Sequence, residues 1–152
     1  MLTAKLFAIL AILQFCLALL ESKTHQSTDI LFHATYFVIG HFHLQILLAL
    51  ASSLFGLIYC AASRWVLRPL NGSLSLIHFV LVVLATIGFA LLSVRLSALG
   101  PAVVSGSPAV HGINHWTVLA AALALLCFLL GCGILAMNCG LTAIMAFQSR
   151  NR

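Results

Sequence analysis

The sequence predicts an all-α integral membrane protein, a bundle of four helices. Three observations lead there. Hydrophobic residues make up 63% of the chain against 6% charged residues, and the mean hydropathy is +1.20. The 152 residues fall into four long apolar runs. The links between those runs are short and hold most of the ionisable groups. A soluble globular domain is about a quarter charged, and a disordered chain needs low hydrophobicity and high charge, so both classes are excluded. The formal net charge of +5 is small and scattered. It speaks to membrane orientation and not to nucleic acid.

Each run is long enough to cross a hydrocarbon core, which takes about 20 apolar residues. The first covers residues 2–20. Lys5 followed by an apolar stretch is also the pattern of a signal peptide, but no small-x-small cleavage site follows it, so it reads as an uncleaved helix. The second run is expected over 34–62, the third over 74–99 and the fourth over 116–147. The alternation of a membrane β-barrel is absent, which leaves helices as the spanning elements. Together they form a single membrane domain, 1–152. Pro69 with Asn71 and Gly72 predicts a tight turn between the second and third spans, and Pro101 and Pro108 mark a true loop before the fourth. Gly131, Gly133 and Gly140 punctuate the fourth span and suit close helix packing.

Charge sets the expected orientation. Lys5, Arg64, Arg68, Arg150 and Arg152 lie at the termini and in the link between spans two and three, so these parts are expected on the cytoplasmic side. Segments 21–33 and 100–115 are then on the outer side. The 5 cysteines, Cys16, Cys60, Cys127, Cys132 and Cys139, lie in or beside apolar runs without a C-x-x-C pair. They read as small hydrophobes, with no disulfide framework.

Histidine is the unusual component: 7 His stand against 7 Lys or Arg and 2 Asp or Glu. The informative stretch runs from His33 through Gly40-His41-Phe42-His43-Leu44-Gln45. With the second span starting near residue 34, His41 and His43 are expected about 10–14 Å below the outer surface. Two residues on a helix turn through about 200°, so the two imidazoles face opposite sides and do not share one metal ion. For an intramembrane imidazole flanked by Phe and Leu, the fitting partner is haem iron, since haem is a large apolar disc and bis-histidine ligation is common in helix bundles. His111 and His115 share a helical face and enter the fourth span from the same side. The expected axial pair is His41 or His43 with His115 or His111. Arg95, near the outer end of the third span, is a candidate for a haem propionate or for snorkelling to the interface. His78 lies at a different depth, near the start of the third span, and is set aside on that ground.

The segment from His33 to Gln45 resembles the tenth helix of subunit I of haem–copper oxidases, in which a His is followed eight residues later by Gly/Ala-His-Phe-His. The Gly-His-Phe-His-Leu-Gln form is closest to the B-type oxidases. Weaker similarity continues through Ile77-His78-Phe79, like the start of the eleventh helix, and through 116–147, like the twelfth, so it covers about 30–147. The resemblance implies that His41 ligates the active-site haem and His43 the low-spin haem. His33 corresponds to a residue that helps hold a structural metal in some members, although Ala34 replaces its acidic neighbour. Histidines for a copper centre are not matched, nor are the paired arginines that hold the propionates.

The chain is therefore expected to be a short relative of subunit I and not, alone, a complete oxidase. The leading expectation is a small transmembrane cytochrome carrying b-type haem, one or two per chain or shared in a dimer. Its expected role is electron transfer with quinol or a periplasmic redox protein, in a bacterial inner membrane with both termini cytoplasmic. Two alternatives stand beside it: a subunit or fragment of a haem–copper terminal oxidase, and a haem carrier or gas sensor.

Overall fold

A computed structural model describes residues 2–22, 27–32, 35–65, 70–98 and 115–150. The elements follow in the order α1 (Leu2–Ser22), β1 (Ser27–Phe32), β2 (Thr35–Gly40), α2 (His41–Trp65), α3 (Gly72–Ala98) and α4 (His115–Arg150). All four helices are long and apolar enough to cross a membrane, with candidate spans Leu2–Leu20, His43–Arg64, Gly72–Leu92 and Val118–Gln148. The all-α membrane architecture expected from composition is what these helices form.

The helices are marked out by local chemistry. Leu2–Ser22 contains neither Gly nor Pro to interrupt it. The start of α3 is set by Asn71, whose side-chain Oδ1 accepts hydrogen bonds from the backbone N–H of Ser73 at 3.0 Å and of Leu74 at 3.3 Å. That is an N-cap, satisfying donors that a helix start leaves without partners. Asn138 of α4 fastens the cap: its Oδ1 accepts from the Asn71 N–H at 3.0 Å, and its Nδ2 donates to the Asn71 carbonyl at 3.2 Å and to Ser75 Oγ at 3.0 Å.

The start of the second span differs from the sequence expectation. The helix begins at His41, whereas the apolar run begins near residue 34. Thr35–Gly40 is a strand, paired antiparallel with Ser27–Phe32 in a register from Ser27 opposite Gly40 to Phe32 opposite Thr35. The cause is local. Thr35-Tyr36-Phe37-Val38-Ile39 is a run of β-branched and aromatic residues, which fit a pleated strand better than a helix. A two-stranded sheet has open edges, which lipid-exposed hydrocarbon does not tolerate, so the hairpin belongs beyond the apolar core of the bilayer.

Packing is by hairpins. α1 lies along α2, α3 lies along α4, and α1 also touches α3. Small residues permit the close approach, as in membrane helix pairs generally. Gly56 faces Ala4, Phe7 and Ala8, and a Cβ placed on it would lie 3.5 Å from the Ala4 carbonyl oxygen. Gly88 is tighter still, since a Cβ there would meet the Ala124 Cβ at 2.7 Å. The buried centre is built from Phe7, Phe55, Tyr59, Val82 and Leu135. Outside it, Leu13, Leu47, Leu54, Leu84, Leu126 and Ile144 are exposed, an apolar exterior suited to lipid.

Candidate functional site

The start of α2 carries the two central histidines. Because residues 35–40 are extended, His41 and His43 open the helix instead of lying two turns inside it. This corrects the depth expected from sequence. Both residues belong to one helix, α2. The side chain of His43 is exposed; that of His41 lies outside the described residues. His43 shares its face of α2 with Ile46 and Leu50, three and seven residues on. Those two line an apolar groove of about 800 Å³ between α1 and α2, together with Ala8, Ala11, Phe15 and Leu57.

The helix directions gather several candidates at one end of the bundle. α2 and α3 are antiparallel, since Tyr59 meets His78 near one end of each. α3 and α4 are antiparallel too, since Asn71 meets Asn138 while Gly88 meets Ala124. The backbone of Arg95, late in α3, and that of His115, first in α4, thus lie at the end of the bundle where α2 begins. Their side chains are outside the described residues, as are His33 and His111 altogether. The axial pairing of span two with span four falls on these residues.

His78, set aside at first, stands at the centre of the bundle. It is 0% exposed. The Tyr59 hydroxyl and His78 Nδ1 are hydrogen-bonded at 3.0 Å. The rings of Phe55, Phe7 and Tyr59 surround the imidazole at centroid distances of 4.8, 5.0 and 5.7 Å. On the α4 side a Cβ at Gly131 would already approach His78 Cδ2 to 3.2 Å. His78 thus touches α1, α2 and α4 from α3. No sequence period marks it; the available signal was a histidine inside an apolar run, where an ionisable group is costly and needs a partner. The cage closes on this imidazole and leaves no room for a haem face, so His78 does not fit that group. His43 is exposed, on the face of α2 that carries Ile46 and Leu50.

Among the described residues no three or more His, Cys, Asp or Glu side chains gather as a metal site. All five cysteines are free thiols.

The sequence matches the family described as Cytochrome C and Quinol oxidase polypeptide I over residues 1–126. The chain belongs to this family. The match takes in α1, which the motif-based resemblance leaves out, and ends inside α4 instead of at 147. It contains the whole Gly40-His41-Phe42-His43-Leu44-Gln45 motif. No curated protein and no solved structure matches the chain. In this polypeptide I family member, the caged His78 lies toward one end of the bundle and the exposed His43 at the start of α2.

Proposed function

We propose that the chain is a haem-binding membrane component of oxidase polypeptide I type, holding haem through His43 and His41 in a site that further protein completes. The observation that carries this reading is His43: it is exposed, within the family's motif, on the face of α2 that continues into the apolar groove. The family match favours an oxidase component over a self-contained cytochrome. Phe7, Phe55, Tyr59, Val82 and Leu135 fill the part of the core that cages His78, away from the start of α2. When bound, haem supplies the redox chemistry, and the protein sets ligation and environment.

The residues have separable tasks in this reading. His43 offers an imidazole to one side of α2, and His41 offers one to the opposite side. Ile46, Leu50 and Phe15 exclude water beside the first. Arg95 and His115, at the same end of the bundle, are the candidates for a propionate contact and for a second axial imidazole. The haem is taken to be b-type, with a quinol or a soluble redox protein as the electron partner. The test is a reduced-minus-oxidised spectrum, with haem and protein quantified, on the chain purified alone and on the chain in its native membrane. Haem that is substoichiometric alone and complete in the membrane is the expected result. A full six-coordinate bis-histidine spectrum from the isolated chain, indifferent to carbon monoxide, returns the reading to a self-contained electron-transfer cytochrome. No haem in either preparation overturns both.

A further inference from the structure

The seam between α1, α2 and α3 holds four polar atoms with no hydrogen-bond partner among the described residues: His78 Nε2 inside the aromatic cage and, toward the start of α2, Gln14 Oε1, Gln45 Oε1 and Ser52 Oγ. The side chains of these last three are shut inside the bundle, at 1%, 1% and 0% exposure. Gln45 and Ser52 are seven residues apart, two turns of α2, so they share a face and lie about 10 Å apart along the axis. Gln14 falls between their levels. α1 runs antiparallel to α2, with Ala4 and Ala8 over Gly56 and Phe7 against Phe55 and Tyr59. Continuing that register brings Gln14 opposite the stretch of α2 between Gln45 and Ser52.

α3 closes the seam and pins one of the groups. Gln14 Nε2 donates to Thr86 Oγ1 at 2.9 Å, and the Thr86 hydroxyl donates to the Val82 carbonyl at 2.9 Å. That chain uses the Gln14 amide nitrogen and leaves its Oε1 over. A buried amide oxygen or hydroxyl without a partner is strongly disfavoured in an apolar span, and native proteins satisfy such groups with protein or with ordered water.

The chemistry of the three atoms defines the occupant. Two amide oxygens accept only, and a serine hydroxyl donates or accepts. They call for a small neutral molecule with two donor hydrogens and a lone pair. An anion is repelled by the amide oxygens. A cation would stand in the span without a carboxylate, since Gln14, Gln45, Ser52 and Thr86 are all neutral. We propose that this seam is an internal water-binding site, in which a small cluster of water donates to Gln14 Oε1 and Gln45 Oε1 and is tied to the Ser52 hydroxyl. The cluster brings hydrogen-bonding solvent into an apolar span, beneath the end of α2 that carries His43. The inference does not depend on haem.

Water-edited solid-state NMR of the full chain in lipid bilayers tests it. The side chains of Gln14, Gln45 and Ser52 are expected to receive magnetisation from water rapidly. Ser53, whose hydroxyl is satisfied by the Ala49 carbonyl at 2.8 Å, is expected to receive it slowly in the membrane interior. Ser52→Ala is expected to weaken the water signal at both glutamines and to lower the thermal midpoint. Absence of water transfer at Gln14 and Gln45 in the unsubstituted protein overturns the proposal, whatever the variant does. So does a raised midpoint in Ser52→Ala, because removing a bare hydroxyl relieves a penalty, whereas removing a hydrated one does not.

Discussion

The hydroxyl of Tyr59 and Nδ1 of His78, 3.0 Å apart, join α2 to α3 at the buried centre of the bundle. Phe7 of α1 stacks on Tyr59 at 5.7 Å with the planes 12° apart, so the pair is also held by the first helix. Tyr59→Phe keeps that stacking and removes the hydroxyl, with its bond to His78 and its interactions with Ser75 and Asn138. A double-mutant cycle of Tyr59→Phe with His78→Phe is expected to give a coupling of about 0.6 kcal/mol, typical of interhelical hydrogen bonds in membranes. His78→Ala also opens a cavity among three aromatic rings and is expected to cost about 2–5 kcal/mol. Unfolding in mixed detergent micelles measures both. A coupling near zero would mean that packing alone seats His78.

The glycines of α3 and α4 separate by what lies opposite them. Gly88→Leu drives a side chain into Ala124, where even a Cβ sits at 2.7 Å. It should force α3 and α4 apart and cost about 1–3 kcal/mol. Gly133→Ala and Gly140→Ala meet nothing within 4 Å and should be neutral or stabilising, since Ala is the better helix former by about 1 kcal/mol. Thermal midpoints of the three variants in one detergent are the comparison. Equal losses at all three positions would contradict the packing.

Asn138 serves the turn before α3 from another helix. Asn138→Leu removes the bonds to Asn71 and Ser75 together. Asn71 then caps α3 without support, and the expected cost is about 1–2 kcal/mol. Amide exchange should rise first at Ser73 and Leu74, whose N–H groups the cap holds. Faster exchange spread evenly along α3, with no excess there, would place the effect elsewhere.

The histidines should be spectroscopically unequal. His43→Ala is expected to abolish the low-spin haem signal, His115→Ala to reduce it, and His41→Ala to remove part or none. Loss of all haem from His41→Ala, with His43→Ala unaffected, would reverse the assignment. Replacing the five cysteines by Ala or Ser should leave the spectrum intact, because none is placed as a thiolate ligand.

Orientation rests on Lys5, Arg64, Arg68, Arg150 and Arg152. A reporter fused after Arg152 is expected to be active only in the cytoplasm. Activity on the other side of the membrane would reject that topology.

The membrane class, the number of spanning helices and the His-Phe-His motif are determined by the sequence alone. Hydrocarbon thickness and backbone hydrogen bonding leave a run such as Val118–Gln148 a single solution. The start of α2 was not legible in sequence, because residues 35–39 are as apolar as a helix needs and also as β-branched and aromatic as a strand needs. Only pairing with Ser27–Phe32 decides between the two. The tertiary structure also decided the role of His78. In sequence it is a histidine at an unpromising depth. In the bundle it is the contact among four helices, because Phe7, Phe55, Tyr59 and Gly131 converge on it from segments far apart in the chain. Hydropathy records how apolar each helix is. Which polar groups face inward together depends on helix rotation and register, and those are settled only when the four helices pack.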